Sequence, residues 1–104
     1  MPREYDKLVR DRIPEVIEAD GETPVCHEVA GEAYDERLAA KLVEEAAEYR
    51  ESRATEALAD VLEVVDAIRD ARNIGDGELQ AIRERKADER GRFEDGVALE
   101  RVEE

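Results

Sequence analysis

Hydrophobic residues recur three and four positions apart through the middle of this 104-residue chain. Side chains at that spacing share one face of a helix, so the pattern predicts two long helices, over residues 35 to about 53 and 55 to about 72. The first helix carries an apolar stripe formed by Leu38, Leu42 and Tyr49. The second carries a broader apolar face formed by Leu58, Val61, Leu62, Val65 and Ile68.

Shorter elements are predicted before these helices. Pro14 suits the first turn of a helix, and Asp20 with Gly21 suits its end, so a short helix is expected between them. Residues 24–30 alternate weakly between apolar and polar side chains. We expect a minor extended segment or strand there.

A third longer helix is predicted over residues 77 to about 90. Asp76 is the expected N-cap, Gly91 the expected stop, and Gly75 the expected C-terminal cap of the preceding helix. A chain of this length forms one domain with a modest core. The prediction is therefore a single all-α domain over residues 1–104, an antiparallel helical bundle.

The balance of acidic and basic residues limits the kinds of binding partner that the chain can have. The chain has 30 acidic and 16 basic residues, a net charge of −14, which argues against binding a nucleic acid polymer or an anionic membrane. Lysine is scarce beside arginine, and this acidity is typical of proteins from a high-salt cytoplasm. We therefore expect the protein to be halophilic and poorly stable in dilute buffer.

The chain also lacks signals for export. No apolar run is long enough to span a bilayer, and the charged N-terminus lacks the apolar segment of a signal peptide. Cys26 is the single cysteine, so an intramolecular disulfide is excluded. We expect its side chain to be a small buried hydrophobic group. These features predict a cytoplasmic protein.

The first long helix contains a carboxylate cluster, Glu44, Glu45 and Glu48. Glu45 falls on the apolar stripe, and Glu48 follows one turn later, where the two side chains are neighbours. Hard oxygen ligands of this kind suit Mg²⁺, with Mn²⁺ as a possible substitute. The alternative is a solvated acidic surface, which is the better interpretation for Glu44 when it is considered alone.

Acids on the second long helix extend this picture. Glu56, Asp60 and Glu63 lie on one side of it, away from the centre of the apolar face. A solvated ridge is the alternative, and it is preferred for Glu56. Asp60 lies nearer the apolar boundary, so it could face the first helix and complete a three-carboxylate site with Glu45 and Glu48.

Cations are candidates for contacting phosphate. Arg83, Lys86 and Arg90 form a stripe on the third helix, and Arg10 with Arg12 could add to it. Arginine suits bidentate phosphate contacts and lysine a point-charge contact. The alternative is ordinary surface pairing with nearby acids, which is worth only ~0–1 kcal/mol per pair.

The ordered motifs resemble a known family. KLVEEAAE at residues 41–48, followed by ALADVLE at residues 57–63, is similar to the EExxE and ExxD pattern of MazG-like, all-α nucleoside triphosphate pyrophosphohydrolases. KLVRDRIP at residues 7–14 and RKADERGRF at residues 85–93 resemble its phosphoribosyl-ATP pyrophosphohydrolase-like branch. The resemblance runs in the same order from about residue 5 to residue 102.

The resemblance implies a Mg²⁺-dependent hydrolase that cleaves a nucleotide between its α and β phosphates and works as a homodimer or homotetramer. It implies Glu45, Glu48 and Asp60 as metal ligands, with Lys86 and Arg90 as phosphate contacts. The general base would be Glu44, Glu48 or Asp60.

One position departs from the family pattern. Its ExxD motif, aligned on Asp60, places an acid where this chain has Ala57. Either Glu56 or Glu63 substitutes as a metal ligand, or a metal position is lost and activity is weak, altered or absent. The rival interpretations are thus a catalytically silent nucleotide-binding relative and a plain helical interaction module.

Overall fold

The structure, a computed structural model, describes residues 3–104. Over these residues the regular elements are helices, which confirms the predicted all-α class. The helices are α1 (Ile13–Ala19), α2 (Gly31–Ser52), α3 (Thr55–Arg72) and α4 (Asp76–Arg90). The chain divides into two compact units, Met1–Arg72 and Asn73–Glu104. A single domain over the whole chain stays a prediction.

Helices α2 and α3 form the main structure of the first unit. They pack against each other and are separated by only Arg53 and Ala54, so they make a helical hairpin. Arg53 ends α2 in the left-handed conformation, with φ 56°, and its N–H donates to the Tyr49 carbonyl at 2.8 Å. The Ala54 N–H then donates to Ser52 Oγ at 3.1 Å. The predicted bounds of α3 are confirmed.

The core of the hairpin is small. Over residues 3–104, the buried hydrophobic residues are Leu38, Ala57 and Val64. Ala57 and Val64 are seven positions apart and therefore share one face of α3, which packs on α2.

The predicted apolar face of α3 is partly wrong. Leu58 and Leu62 are 46% and 65% exposed. At about 100° per residue, these two leucines lie roughly 100° or more around the helix from Ala57. Helix α3 is therefore apolar on two faces, and only the face that carries Ala57 is covered by α2.

The predicted starts of α2 and α4 and the predicted C-terminal cap of α3 are corrected. Helix α2 begins at Gly31 instead of residue 35, because Gly31 takes a left-handed φ of 61° directly after the extended Ala30. Helix α3 ends at Arg72 without the help of Gly75, because Asn73 itself adopts a left-handed φ of 57° and asparagine tolerates that region. Gly75 is instead the N-cap of α4, so Asp76 is helical and not the cap.

The region before α2 is less regular. Helix α1 has Pro14 in its first turn and ends at Asp20, as predicted. No strand forms over residues 22–30, so only the extended interpretation of that segment remains. Cys26 is exposed there, which corrects the expectation of burial. Its neighbour Val25 is 98% exposed, whereas Pro24 and Val29 in the same segment are partly covered.

The second unit consists of α4 and the residues after it. Gly91 ends α4 with φ 79°, and its N–H donates to the Ala87 carbonyl at 2.8 Å, which confirms the predicted stop. Residues 92–104 form no helix or strand, and all of them are exposed. No helix within residues 3–104 is long and apolar enough to cross a membrane.

Candidate functional site

The acids of α2 differ in exposure. The side chain of Glu45 is 14% exposed and that of Glu44 is 38% exposed, whereas Glu48 lies in the exposed class. Glu45 is thus the least exposed carboxylate of the cluster, consistent with its place on the apolar stripe of α2. Removing a carboxylate from water is unfavourable unless a positive charge accompanies it.

Lys41 supplies that charge from the same helix. Its Nζ lies 3.3 Å from Glu44 Oε2 and 3.4 Å from Glu45 Oε1. The three residues are spaced i, i+3 and i+4, the separations at which helical side chains are neighbours. Two carboxylates therefore converge on one cation, whose side chain is itself only 16% exposed.

The segment before α1 lies against both helices of the hairpin. Lys7 Nζ donates to Glu44 Oε1 at 2.8 Å, and Arg10 Nη2 donates to Asp60 Oδ1 at 2.7 Å. These bonds join the segment that precedes α1 to an acid on α2 and an acid on α3. We call residues 6–10 the N-terminal strap.

A third ion pair holds the beginning of this strap. Arg37 Nη1 lies 3.2 Å from Asp6 Oδ1 and also donates to the Asp6 carbonyl at 3.3 Å. Arg37 is one turn before Lys41 on α2, so the strap runs beside the cluster of Lys41, Glu44 and Glu45.

The ion pairs change the ionisation of Glu44 and Lys7. The hydrogen bond from Lys7 holds the pKa of Glu44 below its ordinary value of 4.5; partial burial opposes this effect and Lys41 reinforces it. The same hydrogen bond raises the pKa of Lys7 above its ordinary value of 10.5. Both shifts favour the charged pair over its neutral forms.

The remaining predicted metal ligands are placed differently. Asp60 is 41% exposed and paired with Arg10, and Glu48 and Glu63 are exposed. No group of three or more His, Cys, Asp or Glu side chains that could hold a metal occurs among residues 3–104. The three-carboxylate arrangement of Glu45, Glu48 and Asp60 is therefore not assembled in this state, and metal binding by these residues stays a prediction.

The donor chemistry nevertheless fits a magnesium ion. Mg²⁺ commonly keeps several waters and uses one or two carboxylates together with substrate phosphates. Glu44 and Glu45 already bring two carboxylates to one positive charge, at Lys41 Nζ.

Ala57 has a structural role at the position where the family pattern has an acid. It is 5% exposed and belongs to the face of α3 that packs on α2. An acid at this position would be directed into the helix contact, whereas Glu56 and Glu63, its possible substitutes, are both exposed.

The predicted phosphate contacts fall into both units. Arg10 lies in the strap, paired with Asp60, and Arg12 is the exposed N-cap residue of α1. Lys86 and Arg90 are exposed on α4, in the second unit. A predicted phosphate contact and a predicted metal ligand, Arg10 and Asp60, thus neutralise each other in this state.

Sequence reasoning missed three cations of the site: Lys7, Arg37 and Lys41. The role of Lys41 had a signal, because it precedes Glu44 and Glu45 by three and four positions on a predicted helix. Lys7 lies in the N-terminal stretch that carries part of the family resemblance, but no local spacing links it to α2. Arg37 had no signal, since its partner Asp6 is 31 residues away in sequence.

Comparisons with known proteins give one partial match. A protein of Mycolicibacterium smegmatis described as uncharacterized is 54% identical over 44 residues, which cover 42% of this chain and 45% of that protein. The match therefore spans less than half of the relative. No protein family matches the chain, and no solved structure does.

Proposed function

We propose that this protein is a Mg²⁺-dependent nucleotide pyrophosphohydrolase of the cytoplasm. It cleaves a nucleoside triphosphate, or a nucleotide resembling phosphoribosyl-ATP, to a monophosphate and pyrophosphate. The observation that carries the proposal is the convergence of Glu44 and Glu45 on one cation, beside a hairpin partner that presents Asp60. The ordered resemblance to the MazG-like enzymes supports the choice of reaction.

The residues divide into two groups by role. Glu45 and Glu48 hold the Mg²⁺, or a substituting Mn²⁺, with Asp60 and Glu63 as further ligands. When bound, the metal neutralises charge on the phosphate oxygens and lowers the pKa of a coordinated water. The base that accepts the proton of the attacking water is Glu44, Glu48 or Asp60. Arg10, Arg12, Lys86 and Arg90 contact phosphate oxygens.

The ion pair between Arg10 and Asp60 fits these roles. Arg10 and Asp60 are 58% and 41% exposed, and an exposed pair of this kind is worth only ~0–1 kcal/mol. The pair can therefore separate at little cost, which frees Arg10 for phosphate and Asp60 for a metal. Until then each charge is neutralised by the other.

A second copy of the chain is the expected structural partner. The described residues bury few side chains in their core, and Leu58 and Leu62 expose a second apolar face on α3. A small domain with this little burial gains stability by covering such a face. We propose a homodimer or homotetramer.

A second candidate function rests on Ala57. It is buried where the family pattern has an acid, and the loss of one ligand would weaken or abolish turnover while phosphate contacts remained. In this alternative, the chain is a catalytically weak or silent nucleotide-binding protein, or a helical interaction protein of the same fold.

The deciding experiment measures pyrophosphate release from a panel of nucleoside triphosphates in high salt with Mg²⁺. The Glu45→Gln variant should lose activity by roughly 100-fold or more, because a missing metal ligand removes part of the several kcal/mol by which the ion stabilises the transition state. Glu51→Gln is the matched control, because it removes an exposed acid from the same helix and should retain activity. Full activity in Glu45→Gln would remove the site assignment.

Binding measurements separate the two candidates. If the unmodified protein releases no pyrophosphate yet binds nucleotide with Mg²⁺, the silent relative is correct. If the protein neither cleaves nor binds nucleotides, the helical interaction protein is the correct alternative.

A further inference from the structure

We propose that Lys7, Arg37 and Lys41 form a pyrophosphate-binding site between the N-terminal strap and α2. The inference rests on the proposed function and names the place where the released phosphates are held. It concerns cations for which neither the sequence motifs nor the comparisons suggest a role.

A small pocket brings these cations together. Its cavity measures about 80 Å³, and its wall includes three cations, two acids and the apolar side chain of Leu8; the charged residues are Asp6, Lys7, Arg37, Lys41 and Glu44. The charges on the wall sum to +1, whereas the whole chain carries −14. Glu45, whose Oε1 lies 3.4 Å from Lys41 Nζ, brings the local sum to zero. The pocket is therefore much less negative than the chain as a whole, and it repels an anion less than a surface of average charge would.

The cations have donors to offer a phosphate. Both contacts of Arg37 with Asp6 use Nη1, and an arginine carries five N–H donors. Lys7 donates to Glu44 Oε1, and a lysine carries three donors. Arg37 and Lys41 side chains are 30% and 16% exposed, so their charges are screened less by salt than those of a free surface.

Glu44 competes with the ligand for these donors. It accepts from Lys7 at 2.8 Å and from Lys41 at 3.3 Å, so it occupies two of the three cations in the resting protein. Lys41 also contacts Glu45, a proposed metal ligand. Pyrophosphate can bind only where Glu44 gives up these hydrogen bonds, which the phosphate oxygens then accept from Lys7 and Lys41.

This competition predicts effects of opposite sign, measured as the Kd of inorganic pyrophosphate for the whole chain in metal-free buffer by calorimetry. Lys7→Gln should weaken binding about 10-fold, the equivalent of one charge-assisted hydrogen bond. Glu44→Gln should tighten binding, because it removes the competing anion. Arg101→Gln is the control, since it breaks an exposed ion pair with Glu103 in the second unit and should leave the Kd unchanged.

Two results would overturn the inference: Lys7→Gln binding pyrophosphate as tightly as Arg101→Gln, or Glu44→Gln binding it more weakly than the unmodified chain. Lys7→Arg keeps the charge and should retain affinity, which separates a lost contact from a lost fold. If pyrophosphate binding depends on Lys7 but no nucleotide is cleaved, the hydrolase proposal fails and this site stands. If cleavage depends on Glu45 but the Kd of pyrophosphate does not depend on Lys7, the pyrophosphate site is wrong and the hydrolase proposal stands.

Discussion

Glu44 joins the N-terminal strap to α2 in the candidate site. It accepts hydrogen bonds from Lys7 in the strap and from Lys41 on its own helix. The sequence predicts Glu44 to be a solvated surface acid or a partner of the metal ligands, and a candidate general base. The structure instead gives it two cationic partners, because the chain returns Lys7 to α2 from 37 residues away.

The ionisation of Glu44 predicts a specific pH dependence. Its pKa in the folded protein lies below 4.5, so its contribution to stability is present above pH 4.5 and is lost as the pH falls through the lowered value. Glu44→Gln should therefore be less stable than the unmodified protein at pH 6, and the difference should shrink on acidification. Urea unfolding at a series of pH values measures this directly.

The Lys7→Gln background is the control for that experiment. Without Lys7, the largest cause of the shifted Glu44 pKa is gone, so adding Glu44→Gln should change the acid limb of the stability curve far less. An undiminished effect in that background would show that Lys7 does not determine the ionisation of Glu44. On the alkaline side, the contribution of Lys7 should be lost as the pH rises through its raised pKa.

The sequence predicted some of the candidate site and missed the rest for a physical reason. Contacts within one helix follow from spacing, so the approach of Lys41 to Glu44 and Glu45 had a signal in the sequence, although the predicted partner of Glu45 was Glu48. The bonds of Lys7 to Glu44 and Arg10 to Asp60 join residues 37 and 50 positions apart. Such contacts depend on how a loop folds back, which periodicity does not encode.

At the scale of elements, the hairpin of α2 and α3 was predictable and its contact face was not. The 3.6-residue period fixed both helices, but α3 is apolar around much of its circumference. The side that packs on α2 is the one with Ala57 and Val64, whereas the larger Leu58 and Leu62 remain exposed. Small residues allow two helix backbones to approach closely, a preference that hydrophobicity counts do not register.

Leu38 should be the residue on α2 whose truncation costs most. It is 3% exposed, and Leu→Ala at a buried site costs roughly 2–5 kcal/mol of unfolding free energy, since it leaves a cavity. Val43→Ala is the matched control on the same helix, because Val43 is 70% exposed and a surface change is worth about 0.5 kcal/mol or less. Chemical denaturation compares the two variants; equal losses would contradict the assigned core.

Ala57 offers a test of the position where the chain departs from the pattern of the MazG-like enzymes that it resembles. Ala57→Glu should destabilise the hairpin, because overpacking a core costs about 1–3 kcal/mol and a desolvated carboxylate adds to that cost. Ala59→Glu is the control, an exposed position on the same helix, and should be close to neutral.

The effect of Mg²⁺ on the stability of Ala57→Glu tests whether residue 57 lies at the proposed metal site. If the new carboxylate joins the site proposed around Glu45 and Asp60, Mg²⁺ should recover part of the lost stability in Ala57→Glu and not in Ala59→Glu, since a ligand that binds only the folded state stabilises it. The same denaturation curves, recorded with and without Mg²⁺, measure the recovery. If Mg²⁺ changed the stability of both variants equally, residue 57 would not be part of the metal site.

At the scale of the whole molecule, two electrostatic effects oppose each other. A net charge of −14 on 104 residues favours expansion of the chain, whereas the pairs formed by Lys7, Arg10 and Arg37 hold the strap against the hairpin. Salt screens both. The balance is decided by magnitude, because each exposed pair contributes only ~0–1 kcal/mol while the repulsion acts among all of the unpaired acids.

We therefore expect KCl to raise the Tm of the unmodified protein. At molar salt the Debye length falls to ~3 Å, which removes most of the repulsion between separated carboxylates, and each 1 kcal/mol gained should raise Tm by about 4–8 °C in a domain of this size. Calorimetric scans from 0.1 M to about 3 M KCl measure how steeply Tm rises with salt concentration. Sedimentation at each salt concentration monitors the oligomeric state. Replacing the exposed acids Glu36, Glu51 and Glu56 by glutamine removes three negative charges and should make the rise in Tm less steep. A Tm that falls with added KCl would mean that the ion pairs of the strap, and not the surplus of acids, govern stability.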